Sequence, residues 1–328
     1  MSYIWSCVAE LLPNGGTAGV EQLRIFAGIQ LIAFDLDGTL LTSSRSEIPA
    51  KVAQLRRAVA HRQPQFQTTI ATGRAFHGVE YLLQDLQLRQ NTPVIVYNGG
   101  VIWLPRQNRV LRRRTIDREA LREAIKSCLP LGATILAYYF PDPADAPLQT
   151  QGIDESVSGW SDLSHTYSEY NGMPIHWHAR TTPEEDPVSM LVDTHGDKRA
   201  QNEALERLSR IPSLSCTSSG YSYLEVRPAG VNKGLGLSVA AEHLGLDRSE
   251  VLAVGDNDND AEMLEWAGIG VAVSGASQTA IASSRFVCAS GHGVLAGAIE
   301  VMRLVHRAKR YYGANGSSGF STPHLHAS

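Results

Sequence analysis

The sequence predicts an α/β protein with a doubly wound, mostly parallel, Rossmann-like core and an inserted α+β domain. Short apolar runs recur along the chain, at residues 31–34, 68–71, 94–97, 251–254 and 269–273. Apolar runs without alternation are typical of strands that are buried on both faces, as in a parallel sheet. Stretches with helical character, such as 49–62 and 233–245, alternate with these runs. This alternation is the order of elements expected of a doubly wound domain.

The pattern changes between the third and fourth apolar runs, which indicates a second domain. A polar hairpin, two helices and four further strands are predicted in this region, together with a long, loop-rich stretch at 141–187. The predicted organisation has four parts: an N-terminal extension of unknown role (1–28), a core (29–102 and 228–310), an inserted domain (103–227) and a disordered tail (311–328).

Composition excludes several classes of function. The formal net charge of −4 gives no global attraction to nucleic acid or to an anionic membrane. The four cysteines lie far apart and form no CxxC pair, which argues against a zinc knuckle or a dithiol redox pair. No apolar run reaches the ~18 residues of a membrane span, and the leader lacks the early basic residues of a secretory signal. We therefore expect a soluble cytoplasmic protein without nucleic-acid or membrane partners.

The motif DLDGTL places two carboxylates at the end of the first apolar run. Asp35 and Asp37 are two residues apart, so in an extended chain both side chains can face one pocket. Adjacent carboxylates repel each other unless a cation lies between them, and hard oxygen ligands suit Mg²⁺. Gly38 allows the chain to turn sharply away. The alternative is an Asp-Gly turn without further chemistry.

A second acidic motif, GDNDND, follows the run at 251–254. Asp256 and Asp260 are four residues apart, so a helix that begins here would place them on one side. They are candidates to complete the cation site. A calcium loop of the EF-hand type is the rival interpretation, but its twelfth position would be Ala267 instead of a bidentate Glu.

Two further motifs carry groups that suit a phosphate. In ATGR, the hydroxyl of Thr72 and the backbone freed by Gly73 can hold phosphate oxygens, although a capping Thr is an equally good interpretation. Lys233 lies at the start of a predicted helix, where a cation is unfavourable unless an anion accompanies it. A solvated surface lysine is the alternative.

In this order the four motifs resemble those of the haloacid dehalogenase (HAD) superfamily of phosphohydrolases, and the large insert resembles the Cof-type (subfamily IIB) branch. YNGG before the insert and LEVRPAGVNKG at its end add to the resemblance, which covers about residues 29–300. It implies that Asp35 is the nucleophile, Asp37 the general acid and base, and that Thr72 and Lys233 bind the phosphoryl group. It further implies a Mg²⁺ ion held by Asp35, the main-chain carbonyl of Asp37 and Asp256, with support from Asn259 and Asp260.

The resemblance also implies an activity and a role for the insert. The insert is expected to be a cap that selects the substrate, and Gly73, Arg74, Asn98 and Arg227 are expected to bind it; hinge structure is the alternative for the last two. We expect a Mg²⁺-dependent phosphatase, monomeric or homodimeric, that acts on a small phosphorylated metabolite, with sugar phosphates as candidates. A phosphomutase with the same chemistry and a non-catalytic sensor of phosphorylated metabolites are the alternatives.

Three remaining features have less specific interpretations. His176 and His178 would share a face of a strand and suit a transition metal, but no third ligand is evident. Arg112 to Arg114 fit either a solvated hairpin or a surface that steers anions. The aromatic run 138–140 is expected in the core of the inserted domain, with a pocket wall as the alternative.

Overall fold

The computed structural model describes residues 10–11, 20–42, 48–60, 65–83, 88–141, 155–162, 169–170, 173–179, 181–218, 223–289 and 295–315. Its strands, in chain order, are β1 (Glu10–Leu11), β2 (Leu31–Phe34), β3 (Gln67–Ile70), β4 (Val94–Val96), β5 (Val101–Leu104), β6 (Arg109–Arg113), β7 (Thr134–Tyr139), β8 (Ser156–Trp160), β9 (Glu169–Tyr170), β10 (Met173–Trp177), β11 (Ser189–Asp193), β12 (Leu214–Ser218), β13 (Tyr223–Pro228), β14 (Val251–Gly255), β15 (Ile269–Ala272) and β16 (Phe286–Val287). Its α-helices are α1 (Val20–Ala27), α2 (Ile48–Ala60), α3 (Glu80–Leu83), α4 (Arg118–Cys128), α5 (Lys198–Ser209), α6 (Lys233–Leu244), α7 (Ala261–Trp266), α8 (Gln278–Ala282) and α9 (Ala296–Asn315).

The core is a parallel sheet in the order β1-β16-β15-β14-β2-β3. The strands β2, β14 and β15 are buried at every residue, which is why their sequences are apolar without alternation. A single bridge between Ala71 and Ile95 continues the core sheet into a small antiparallel sheet, β4-β5-β6. The predicted doubly wound, mostly parallel core is confirmed.

The second domain, which we call the cap domain (residues 118–228), contains a sheet in the order β12-β13-β11-β7-β8-β10-β9. Helices α4 and α5 cover one face and enclose a separate apolar cluster that includes Trp160, Leu121 and Leu208. Asp117 and Asp197 cap these helices by accepting hydrogen bonds from backbone N–H groups in the first turn. The predicted α+β insert is confirmed as a fold, while its exact bounds stay a prediction, since residue 102 lies within β5.

The aromatic run 138–140 does not form one cluster, because successive side chains of a strand point to opposite faces. Tyr139 lies in the core of the cap domain, as expected. Tyr138 and Phe140 instead belong to the main core, and both rings lie near Tyr97 (ring centroids 6.0 and 6.4 Å away).

Described segments near both ends of the sequence pack onto the core further than the sequence predicts. Strand β1 pairs with β16, and Leu23 and Phe26 of α1 are buried in the main core. At the other end, α9 continues to Asn315, so residues 311–315 of the predicted disordered tail are helical. The reason is that Gly313 costs the helix only about 1 kcal/mol, and Tyr312 packs against the core. Residues 316–328 lie outside the described part.

None of the helices in the described ranges combines the length and the apolar character that crossing a bilayer requires.

Candidate functional site

The site lies at the carboxyl ends of three neighbouring strands of the core sheet. Strands β14, β2 and β3 are adjacent and parallel, so the residues that follow them meet at one edge. Asp35 follows β2, Asp256 follows β14, and Thr72 lies two residues beyond β3. The sheet order thus brings together three motifs that are far apart in the sequence.

Three carboxylates form a compact cluster at this edge. One ligand atom from each of Asp35, Asp256 and Asp260 lies within 4.8 Å of the others. Asp35 is 5% exposed and Asp260 is fully buried. Asp260 also organises its own loop, because its Oδ2 accepts hydrogen bonds from the N–H groups of Asp256 (2.9 Å) and Asn257 (3.1 Å). Asp256 and Asp260 thus lie together as predicted, but a loop and a 3-10 turn bring them together, and the helix begins only at Ala261.

Lys233 enters the cluster from the first residue of α6. Its Nζ lies 2.6 Å from Oδ1 of Asp35 and 2.6 Å from Oδ1 of Asp260. Lys233 is 1% exposed, so the alternative of a solvated surface lysine is wrong. The helix begins here because the side chain of Asn232 accepts a hydrogen bond from the N–H of Leu235.

The titration of these groups reflects burial and mutual repulsion. Burial, and then the charge of Asp260, raises the pKa of Asp35 well above its usual value. The same two causes raise the pKa of Asp256 to about 6. Burial alone would lower the pKa of Lys233, but Asp260 and Asp35 raise it above the usual value. One ammonium group therefore compensates three carboxylates only in part.

The donor set fits a divalent cation. Three carboxylates and one ammonium leave a formal charge of −2, and hard oxygen atoms suit Mg²⁺. Oγ1 of Thr39 donates to Oδ1 of Asp256 (2.9 Å), which orients that carboxylate toward the cluster. Gly38 adopts φ +96°, and a Cβ atom there would lie 2.1 Å from Oδ2 of Asp256. The predicted need for glycine at this turn thus has two physical reasons.

Asp37 lies beside the cluster and is paired with Arg74. Oδ2 of Asp37 accepts from Nε of Arg74 at 2.7 Å, and its Oδ1 contacts Nη2 of the same guanidinium. The side chain of Asp37 is 41% exposed, in contrast to the buried Asp35. A bidentate pair of this kind fixes the orientation of a carboxylate. Arg74 was expected at the substrate; in the structure its partner is Asp37.

Thr72 and Gly73 lie next to a series of hydrogen-bonded polar side chains that reaches the cap domain. Thr72 is buried, and its Oγ1 accepts from the N–H of Arg74 (3.1 Å). A Cβ atom on Gly73 would come within 3.0 Å of Asn98. Nδ2 of Asn259 donates to Oδ1 of Asn98 (3.2 Å), whose own Nδ2 donates to Glu225 in β13 (2.7 Å). Asn98 and Asn259 therefore link the acidic loop to the cap domain.

Arg227 is buried where β13 leaves the cap domain. Its Nη1 donates to Thr217 of β12 (2.9 Å), and its Nη2 lies 3.8 Å from Glu262 of α7. These contacts fit the hinge alternative, and substrate binding by Arg227 stays a prediction.

Other predicted features lie outside the cluster. Among the described residues, the group that can hold a metal contains neither His176 nor His178. His178 lies 3.1 Å from the Ser158 hydroxyl. Within the Arg112 to Arg114 run, Arg113 donates to the carbonyl of Phe140 (2.7 Å). The acidic loop follows a strand and not a helix, which argues against the EF-hand alternative.

Sequence reasoning missed Thr39, Glu225 and Glu155 as parts of this region. Thr39 belongs to the DLDGTL motif and could have been found as a partner of a metal ligand. Glu225 lies within LEVRPAG, beside a predicted site residue. Glu155 follows an aperiodic stretch, and nothing in the sequence near it pointed to the core.

Comparison with known proteins identifies the family. The sequence profile of the family described as haloacid dehalogenase-like hydrolase matches residues 32–295. The chain belongs to this family. The N-terminal limit of the match is the second residue of β2, and its C-terminal limit lies just before α9.

Two named phosphatases and one solved structure are among the proteins similar to this HAD-family chain. It is 29% identical over 277 residues to 5-amino-6-(5-phospho-D-ribitylamino)uracil phosphatase YwtE of Bacillus subtilis, covering 80% of this chain and 93% of that protein. It is 28% identical to pyridoxal phosphate phosphatase YbhA of Escherichia coli, covering 79% and 92%. A putative HAD/COF-like hydrolase of Plasmodium vivax shares the fold with a TM-score of 0.66 and 19% identity, over 88% of this chain and 99% of that one.

These likenesses confirm the resemblance to Cof-type HAD phosphohydrolases and the class of enzyme, a hydrolase that acts on phosphoric monoesters. The two named phosphatases differ in substrate, so membership in the family does not identify the compound that this enzyme hydrolyses.

Proposed function

We propose that the protein is a Mg²⁺-dependent phosphatase that hydrolyses a monoester of a small phosphorylated metabolite through an aspartyl-phosphate on Asp35. The observation that carries this proposal is the convergence of Asp35, Asp256 and Asp260 around the buried Nζ of Lys233. The proposal is supported by this arrangement because the carboxylate of Asp35, the ammonium group of Lys233 and further carboxylate oxygens lie within one small volume.

In the first half-reaction, an oxygen of Asp35 forms a bond to phosphorus as the ester P–O bond breaks. Asp37 gives its proton to the departing oxygen, so that the leaving group departs as an alcohol. Arg74 holds Asp37 in the orientation for this transfer. Because the transferred group carries its charge on its outer oxygens, Lys233, Thr72 and backbone N–H groups contribute mainly by electrostatic stabilisation.

In the second half-reaction, water attacks the phosphorus of the acyl phosphate, and Asp37 takes a proton from that water. The bond from phosphorus to Asp35 breaks, which regenerates the carboxylate and releases inorganic phosphate. Dividing the displacement in this way replaces one difficult step with two easier ones.

A Mg²⁺ ion, when bound, would neutralise charge on the phosphoryl oxygens and on the attacking carboxylate. Asp35, the main-chain carbonyl of Asp37 and Asp256 would hold it, with Asn259 and Asp260 in support. The protein's contribution is to fix these oxygens before substrate arrives, through Thr39 at Asp256 and through backbone N–H groups at Asp260.

The cap domain is proposed to select the leaving group, because β13 approaches the site through Glu225 and Asn98. Gly73, Arg74, Asn98 and Arg227 stay the candidates for contact with substrate. The names of the relatives, which are phosphatases of small phosphorylated compounds, favour hydrolysis over the phosphomutase and sensor alternatives. A cytoplasmic location and a monomeric or homodimeric state stay predictions.

The test is hydrolysis of 4-nitrophenyl phosphate by the purified full chain with Mg²⁺. Asp35→Asn should abolish turnover, whereas Asp258→Asn, which alters an exposed carboxylate of the acidic loop, should leave most of it. Acid-quench trapping of radiolabelled phosphate on the unaltered chain but not on Asp35→Asn would support the covalent step. Full activity of Asp35→Asn, or full activity in excess EDTA, would contradict the mechanism.

A further inference from the structure

A partly buried glutamate of the cap domain contacts the core loop that carries Arg74. Glu155 directly precedes β8, and its Oε1 accepts hydrogen bonds from the N–H of Phe76 (2.8 Å) and from the hydroxyl of Tyr97 (2.6 Å). Its Oε2 accepts from the N–H of His77 (2.7 Å). All three donors belong to the core, although β8 pairs with strands of the cap sheet.

Glu155 differs from an ordinary surface carboxylate because it is partly buried and accepts three hydrogen bonds. Burial raises the pKa of Glu155, while the hydrogen bonds from Tyr97, His77 and Phe76 act in the opposite direction. A buried carboxylate is tolerated only where donors replace the water that it has lost. Since two of the donors are backbone N–H groups, the carboxylate recognises the conformation of this loop and not its side chains.

The loop so recognised is connected to Asp37 by a short series of contacts. Phe76 follows Arg74 by two residues. The N–H of Tyr97, whose hydroxyl binds Glu155, donates to the carbonyl of Arg74 (3.1 Å). The Arg74 guanidinium forms the bidentate pair with Asp37. Glu155 therefore binds both the turn that follows Arg74 and the tyrosine whose N–H binds the Arg74 carbonyl.

Backbone strain at Tyr97 supports a role beyond packing. Tyr97 has φ +52°, a conformation that is uncommon for an aromatic residue. Such conformations persist where the surrounding contacts enforce them, and they concentrate at functional sites. Here the enforcing contacts are the hydrogen bond to Arg74 and the hydrogen bond to Glu155.

We propose that Glu155 is a positioning residue that couples the seating of the cap domain to the orientation of Asp37. With the cap seated, Glu155 fixes the turn at 74–77, Arg74 is held, and Asp37 points where a proton can be transferred. When the cap lifts, the two N–H groups lose their acceptor and the turn at 74–77 is held less firmly, so Arg74 keeps only its contacts within the core. This inference rests on the proposed role of Asp37 in proton transfer. It explains how proton transfer would be restricted to a substrate that the cap domain covers.

The kinetic test uses two esters that differ in their need for a proton. The leaving group of 4-nitrophenyl phosphate departs without protonation, whereas that of phenyl phosphate depends on the acid. We compare kcat/KM, because it reports the steps up to transfer of the phosphoryl group and not the shared hydrolysis of the intermediate. General acid catalysis contributes ~10²–10⁴-fold, so partial loss of orientation in Glu155→Ala should lower kcat/KM for phenyl phosphate about tenfold and for the nitrophenyl ester much less.

Two further variants make the result specific. Glu155→Gln keeps one acceptor oxygen and should fall between the unaltered enzyme and Glu155→Ala. Tyr97→Phe removes a single donor and should show the same dependence on leaving group to a smaller extent, which provides a test even where Glu155→Ala folds poorly. Glu123 is an exposed glutamate of α4, so Glu123→Ala is the matched control and should leave kcat/KM for both esters unchanged.

Amide hydrogen exchange over residues 74–80 tests the contact independently of activity. Exchange should be faster in Glu155→Ala than in the unaltered chain or in Glu123→Ala. Unchanged exchange, or an equal loss of kcat/KM for the two esters, would overturn the proposal. If the unaltered chain hydrolysed neither ester, the proposed function would fail and the catalytic part of this inference with it, while the exchange result would still decide whether Glu155 holds the loop.

Discussion

Lys233 and Asp260 form an ion pair that is almost closed to solvent, with 2.6 Å between Nζ and Oδ1 and side-chain exposures of 1% and 0%. Such a pair is costly to assemble, since both charges lose their hydration. It is retained at a point where a second carboxylate, Asp35, also contacts the same ammonium group. This cost has a physical reason if Asp260 holds the ammonium group of Lys233 where it can stabilise the negative charge of an incoming phosphoryl group.

Removing the ammonium group should therefore destabilise the protein as well as inactivate it. Lys233→Met leaves Asp35 and Asp260 buried without their cation, and loss of one partner of a buried pair costs about 3–5 kcal/mol. Denaturant unfolding in EDTA measures this loss. The exposed Lys126→Met is the control and should change stability by less than ~0.5 kcal/mol.

A double variant separates charge from packing in this result. If unpaired charge causes the loss, adding Asp260→Asn to Lys233→Met should restore part of the stability. Equal or lower stability of the double variant would indicate that the methylene packing of Lys233, and not its charge, stabilises the site.

The hydroxyl of Thr39 should matter for metal affinity. Thr39→Val keeps the shape of the side chain but removes the hydrogen bond to Oδ1 of Asp256. Loss of a hydrogen bond to a metal ligand typically weakens binding about 10–100-fold, so half-maximal activity should need that much more Mg²⁺.

A second buried threonine provides the control for this substitution. Within the described residues, the Thr68 hydroxyl is buried without a hydrogen-bond partner. Thr68→Val should leave the Mg²⁺ dependence unchanged and should not lower stability, because a buried polar group without a partner is unfavourable. Equal Mg²⁺ dependence of the two variants would contradict the assigned role of Thr39.

The core and its site were predictable because their information is local. Asp35 directly follows an apolar run, and the positions of Thr72 and Asp256 are given by the same rule for parallel strands. Lys233 was the weakest of these predictions, since its burial depends on Asp35 and Asp260, which are distant in sequence. The family resemblance, and not periodicity, assigned it to the site.

Contacts between loops that are distant in the sequence were not predictable in this way. The pairing of Arg74 with Asp37 depends on how two loops meet, and TGR alone suggested a substrate ligand. Glu155 binds backbone N–H groups, which nearly every residue type carries, so the sequence does not mark its partners. Helix α9 passes the predicted start of the tail because Tyr312 packs against the core, a contact that composition does not reveal.

Replacing Gly38 should cause both backbone strain and crowding at Asp256, and a second glycine, Gly196, allows the two effects to be separated. Gly38→Ala combines a strained φ of +96° with a Cβ atom 2.1 Å from Oδ2 of Asp256, so this ligand must move. We expect a stability loss of about 1–3 kcal/mol from the backbone and a strong weakening of Mg²⁺ activation. Gly196 has φ +86° but open space around the position of a Cβ atom. Gly196→Ala should lose stability and keep its Mg²⁺ dependence; if both variants behaved alike, crowding at Asp256 would not be the cause.

The raised pKa of Asp256 gives the protein without metal a defined dependence on pH. Burial and the charge of Asp260 raise this pKa to about 6, so the folded protein retains a proton that the unfolded chain releases near pH 4. Stability should therefore fall as pH rises from about 4 to about 6, by at most roughly 3 kcal/mol for this group, and then level off. Asp256→Asn cannot release this proton. Its stability relative to the unaltered protein in EDTA should rise across the same window, as measured by thermal unfolding, while exposed Asp258→Asn should show no such trend. A constant difference between Asp256→Asn and the unaltered protein from pH 4 to 7 would mean that the pKa of Asp256 is not raised in the folded protein.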